Sequence, residues 1–161
     1  MNQKELFIKM ALDAWNIYIE RTNKLFDGLS DEQIAAEVAP NRNTGTYLLG
    51  HLAAVHDNML PLLSIGEKLY PELYEPYVRT PDKSGQNTPI PELRTAWNKV
   101  NSALSTAFEK FSADDWFTRH TAVTEEDFAK EPHRNKLNLV MNRTAHLANH
   151  LGQLAFLKPR G

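Results

Sequence analysis

The chain has 161 residues, 42 % of them hydrophobic, a formal charge of −2 at pH 7 and no cysteine. This length suits one ordinary domain over residues 1–161 with a sizeable core. The near-balanced charge excludes a broad attraction for nucleic acid or an anionic membrane, and the missing thiols exclude disulfides, thiolate metal sites and a cysteine nucleophile.

Four long segments carry helical periodicity when each residue is given about 100° of rotation. The chain opens with "MNQKELFIKM", which lacks the charged and apolar regions of a signal peptide. No apolar run approaches a membrane span, so a cytoplasmic protein is expected. The first helix is expected over about residues 3 to 29, with Ile8, Ala11, Leu12, Trp15, Tyr18, Ile19, Phe26 and Leu29 on one broad face. Leu6, Met10 and Ile17 form a narrower apolar strip opposite, which suits either a homodimer contact or a surface covered by the connectors. "GLSDEQIAAEVAPNRN" follows, with a Ser-Asp start for a short helix.

The second long helix opens at "NRNTGTYLLGHL", capped by Asn43 or Thr44, and is expected to run to about Gly66 with a bend at Pro61. Leu48, Leu52, Val55, Met59, Leu62 and Leu63 share a face. "YPELYEPYVRTPDKSGQNTPIP" is Pro-rich and reads as irregular. The third helix, Pro91 to Phe111, is the cleanest, with Leu93, Trp97, Val100, Leu104, Ala107, Phe108 and Phe111 recurring at three and four. "FSADDWFTRHTAVTEEDFAKEPHR" offers a second short-helix start at Ser-Ala-Asp. The fourth helix, about Lys136 to Lys158, aligns Leu139, Val140, Leu147, Leu151, Leu154 and Leu157 and is expected to end at Pro159. No segment alternates like a strand. The expected fold is all-α, a four-helix bundle with long crossover connections and short extra helices.

Two histidines stand in the fourth helix, in "HLANHLGQL". His146 and His150 differ by about 40° around the axis, and their direction coincides with an edge of the apolar arc. Both therefore face inward, beside a polar flank of Asn142, Asn149 and Gln153. Two such imidazoles can share a divalent ion at about 2.0–2.1 Å, or each can close a core hydrogen bond. His51 lies at the border of the second helix's arc, next to Gly50, which permits close backbone approach. Three inward imidazoles with no carboxylate among them make an open three-ligand site, the pattern of catalytic rather than structural zinc. His56 lies about 140° from His51 and reads as a hydrogen-bonded residue at the far edge of the core. His120 and His133 fall in polar connectors and read as solvated, or as a histidine on a lid. Asn101 falls within the third helix's apolar arc and reads as facing inward; Asn142, Asn149 and Gln153 can orient water or a ligand, or simply bond locally. Arg94 and Arg143 can hold an anionic group or extend along the surface to solvent.

"TGTYLLGHL" and "HLANHLGQL" resemble the two signatures of the DinB/YfiT-like superfamily, and with "SDEQIAAEV" the resemblance covers nearly the whole chain. It implies a four-helix bundle in which His51, His146 and His150 bind a divalent metal ion, often zinc or nickel. It also implies frequent dimers, and, in members of assigned activity, transfer or isomerisation with a low-molecular-weight thiol. The expected function is thus a metal-dependent S-transferase taking an exogenous thiol and a small electrophile. The lack of cysteine is compatible with a thiol that arrives as cosubstrate. A hydrolase using metal-bound water is the second reading, though Asp57 lies about 120° from His51 and supplies no obvious base. A non-catalytic metal or small-ligand binding protein is the third.

Overall fold

The computed structural model describes residues 1–158. The expected stop at Pro159 lies outside the described residues. α1 spans Gln3–Asp27; its first turn closes reciprocally, Asn2 accepting from the Glu5 amide and Glu5 from the Asn2 amide, each at 2.9 Å. α2 (Asp31–Ala35) starts at Ser30, as the Ser-Asp pair suggests, and is closed by the same device with Gln33.

α3 (Gly45–Asp57) is capped by Thr44, whose hydroxyl accepts from the Tyr47 amide at 3.1 Å. It stops well before Gly66. Residue 61 would donate to the carbonyl of Asp57, but Pro61 has no N–H and its ring crowds that carbonyl. The break therefore falls at Asn58, one turn before the proline, and α4 (Met59–Leu62) continues as a separate short piece. Buried Asp57 holds the following chain, accepting from the amides of Leu69 at 2.8 Å and Tyr70 at 2.9 Å.

The Pro-rich connector is more ordered than its composition suggests. It forms a 3-10 turn at Pro71–Leu73 and a π-type turn at Glu75–Arg79, both packed on α3. α5 spans Ile90–Phe108, shorter than expected, with Phe111 in the turn beyond it. The last connector begins with a 3-10 turn at Asp115–Phe117; its helix, α6 (Glu125–Lys130), starts from Thr124 rather than from Ser112. α7 (Lys136–Leu154) is capped by Asn135 and gives way to a 3-10 turn at Ala155–Leu157, so it ends before Lys158.

α1 lies along α7, α3 along α5, and α3 also meets α7. This is an all-α, four-helix bundle, and no strand occurs among the described residues. α3 is the most enclosed helix: Leu49, Ala53 and Ala54 are buried as well as Leu48, Leu52 and Val55. Two apolar clusters fill the interior. One gathers Leu25, Phe26, Ile34, Leu48, Trp97 and Leu147, the other Trp15, Met59, Leu104, Phe108, Trp116 and Val140. Leu6, Met10 and Ile17 are 46 %, 61 % and 46 % exposed, so the connectors do not cover that strip. No helix among the described residues is long and apolar enough to cross a membrane.

Candidate metal centre

The near-constant period of α7 sends His146 and His150 toward α3, where His51 meets them. The ring centroids lie 5.1 Å (His51–His146), 5.0 Å (His51–His150) and 4.5 Å (His146–His150) apart. Each ring is half-buried, and one nitrogen from each lies within 4.8 Å of the other two. The expected convergence of the three rings is present.

Their outer nitrogens decide what the inner ones can do. His51 Nδ1 stands 2.8 Å from the carbonyl of Tyr77, which only accepts, so Nδ1 carries the proton and Nε2 keeps its lone pair. His150 Nδ1 stands 2.8 Å from Gln153 Oε1, and with that oxygen accepting, its Nε2 is a lone pair too. Both of these Nε2 atoms lie 3.1 Å from Nε2 of His146. A neutral His146 can offer at most one proton there, so at least one lone pair is left without a donor. A shared cation removes that conflict: tetrahedral coordination at about 2.0–2.1 Å places ligand nitrogens roughly 3.3 Å apart.

Burial, then the charges of neighbouring His150, His51 and Arg143, pushes His146 down to about 4. Burial also lowers His51, against the hydrogen bond to Tyr77 that raises it. Neutral imidazole is the form that ligates a metal. The Tyr77 carbonyl and the Gln153 amide fix the orientations of the His51 and His150 rings. The Tyr77 carbonyl is free because it lies in the last turn of the π-type segment, which ends at Arg79 before any following amide can reach it. Nothing in the side-chain pattern of the connector marks that backbone atom. Gly50 admits not a backbone strand but the Tyr77 ring: a Cβ on Gly50 would meet ring atoms at 2.4, 2.5 and 2.7 Å. Tyr47 stacks against His51 at 6.1 Å and donates its hydroxyl to the carbonyl of Thr80 at 2.9 Å.

The other polar residues divide. Gln153 holds His150, whereas Asn142 and Asn149 point to solvent and line nothing at the centre. Asn101 faces inward, but toward His56, whose Nδ1 it meets at 2.8 Å. His56 is wholly buried between Trp15 and Trp97, with centroids 4.9 and 5.0 Å away, so it lies deep in the core rather than at its edge. Burial pushes it down to about 3. His133 is exposed as expected. His120 is only partly solvated: it is half-buried, and its Nδ1 is enclosed without a partner. Arg94 is engaged within the protein, donating to the carbonyls of Phe26 at 2.7 Å and Leu29 at 2.8 Å and closing the end of α1. Among the described residues no carboxylate joins the three-histidine group, and both oxygens of Asp57 are engaged elsewhere.

The chain's similarity to known proteins follows the same residues. A family model described as the DinB superfamily matches residues 15–154, an interval that contains all three histidines. No curated protein matches the chain.

Proposed function

Because the chain belongs to the DinB superfamily, we propose that His51, His146 and His150 hold one divalent cation, zinc or nickel, in a centre for thiol-dependent transfer to a small electrophile. The observation that carries the metal assignment is the pair of bare Nε2 atoms 3.1 Å from the Nε2 of His146. Bound there, the ion would supply Lewis acidity, lowering the pKa of a thiol or water in its open position.

The chain's own groups have defined tasks in this reading. Tyr77 and Gln153 hold the His51 and His150 rings in one tautomer, so that their lone pairs converge. Tyr47 covers one face of His51 and limits water there. Among the described residues no carboxylate joins the group, so hydrolysis there would rest on metal-bound hydroxide alone, whereas transfer needs only the activated thiol. The cosubstrate thiol meets no competing cysteine, because the chain has none.

The test is elemental analysis of purified protein beside His146→Ala, followed by turnover with common low-molecular-weight thiols. One ion per chain is expected, lost in the variant, together with thiol-dependent turnover. In the cobalt- or nickel-loaded protein, a thiolate charge-transfer band can arise only from added thiol. Equal metal in both proteins removes the ligand assignment; thiol-independent hydrolysis replaces the transferase by a hydrolase; tight ligand binding without turnover leaves a binding protein.

We also propose a homodimer through the exposed face of α1. Beside Leu6 and Ile17 runs a groove of about 370 Å³ between α1 and α7, lined by Phe7, Met10, Ala14, Met141, Thr144 and Ala148. Sedimentation at micromolar concentration should give a dimer that Met10→Glu dissociates; a wild-type monomer sinks this assignment.

A further inference from the structure

We propose that Arg143 is the anion-recognition residue of the three-histidine centre, so that the small molecule taken there carries a carboxylate or similar oxyanion. The proposal deepens the reading above and rests on that centre being a binding place. It does not need the bound molecule to be a thiol.

Arg143 precedes His146 by three residues and His150 by seven on α7, which places all three within about 60° of one another around the axis. The helix therefore presents the guanidinium along the same inward stripe as the imidazoles. α7 meets α3 along that stripe, where His51 joins His146 and His150, so the charge stands beside packed elements.

The guanidinium is half-buried, and its Nε is enclosed without an acceptor. Among the described residues no carboxylate pairs with it. Arg94, equally long and also partly buried, shows the ordinary solution, with two carbonyls and Asp31 around its head. A partly buried charge without a partner is costly, and an arginine that merely extended to solvent would not enclose its Nε. A bound oxyanion supplies the missing acceptor, for which the planar fork of Arg is suited. Two further features favour an anion. The Nδ1 of His120, within the field of Arg143, is also enclosed and unpartnered. Tyr74, near Arg143, carries Lys68 over its ring at 3.8 Å and Arg79 at 5.6 Å.

Three probes separate the terms: propionate, 3-mercaptopropionate and 2-mercaptoethanol, titrated into metal-free and zinc-loaded protein by calorimetry and by the NMR signal of the Arg143 Nε–H. Propionate should shift that signal, and zinc-loaded protein should bind 3-mercaptopropionate roughly ten-fold tighter than 2-mercaptoethanol, as expected of one charge-assisted hydrogen-bonded pair. Arg143→Gln should erase this preference while zinc content and 2-mercaptoethanol affinity stay unchanged. Arg143→Lys, which keeps the charge and loses the fork, should retain only part of it. No preference in the wild type, or an undiminished one in either variant, overturns the proposal. Arg143-dependent propionate binding with neither thiol bound would leave the anion seat standing and remove the thiol; equal binding of both thiols would do the reverse.

Discussion

His51 can aim its Nε2 at α7 only because the residue before it has no side chain. The Tyr77 ring occupies the place of a Gly50 Cβ, and the same residue's carbonyl holds His51 Nδ1 at 2.8 Å. Gly50→Ala would drive a methyl into the body of a fully buried ring, which has no flexible end to swing aside. Overpacking of this kind costs about 1–3 kcal/mol, and the displaced carbonyl would release the histidine tautomer. We expect zinc affinity, read by competition with a chromophoric chelator, to fall about ten- to a hundred-fold, the usual range for loss of an outer support. Tyr77→Phe is the control. Its hydroxyl has no partner, so removing it leaves ring and carbonyl in place and zinc affinity unchanged. If Gly50→Ala binds zinc as tightly as the wild type, the Tyr77 carbonyl does not support the site.

At the scale of elements, what was readable in the sequence was whatever depends on a constant helical period. The inward direction of His51, His146 and His150 follows from angle alone, because α3 and α7 run uninterrupted through those positions. α5 is legible for a related reason: one face is apolar and the other is not. α3 is less so, since a helix enclosed on every side has no single arc, and Leu49, Ala53 and Ala54 escape an angular reading. Pro61 announces a break but not its position, which is set one turn upstream by the clash with the Asp57 carbonyl. Contacts made by backbone atoms leave no side-chain signature at all. The Tyr77 carbonyl lies in a stretch that reads as irregular, and the carbonyls that engage Arg94 lie 65 and 68 residues away in sequence. His120 misleads for the complementary reason: a polar neighbourhood in sequence says little when a connector folds back on the bundle.

Across the whole molecule, the interior histidines couple folding to pH. His56 lies where the two apolar clusters meet, between Trp15 and Trp97, and burial pushes it from 6.5 down to about 3. A histidine depressed in the folded state is protonated more readily in the unfolded chain. Its contribution to stability is therefore fully present above about 6.5 and is lost as the pH falls from there toward 3. His51, His120 and His146 are displaced in the same direction, each first by burial, and steepen the same limb. Each proton taken up only on unfolding costs up to about 1.4 kcal/mol of stability per pH unit. Urea unfolding of the metal-free protein between pH 7 and 4 should thus show stability falling by more than one proton's slope. His56→Gln, which can still reach Asn101, should be less stable than the wild type at pH 7, and its decline should be shallower by about one proton, so that the two proteins converge in acid. Parallel declines would mean that His56 is already protonated within the fold, and that its hydrogen bond to Asn101, rather than burial between two indoles, governs its charge.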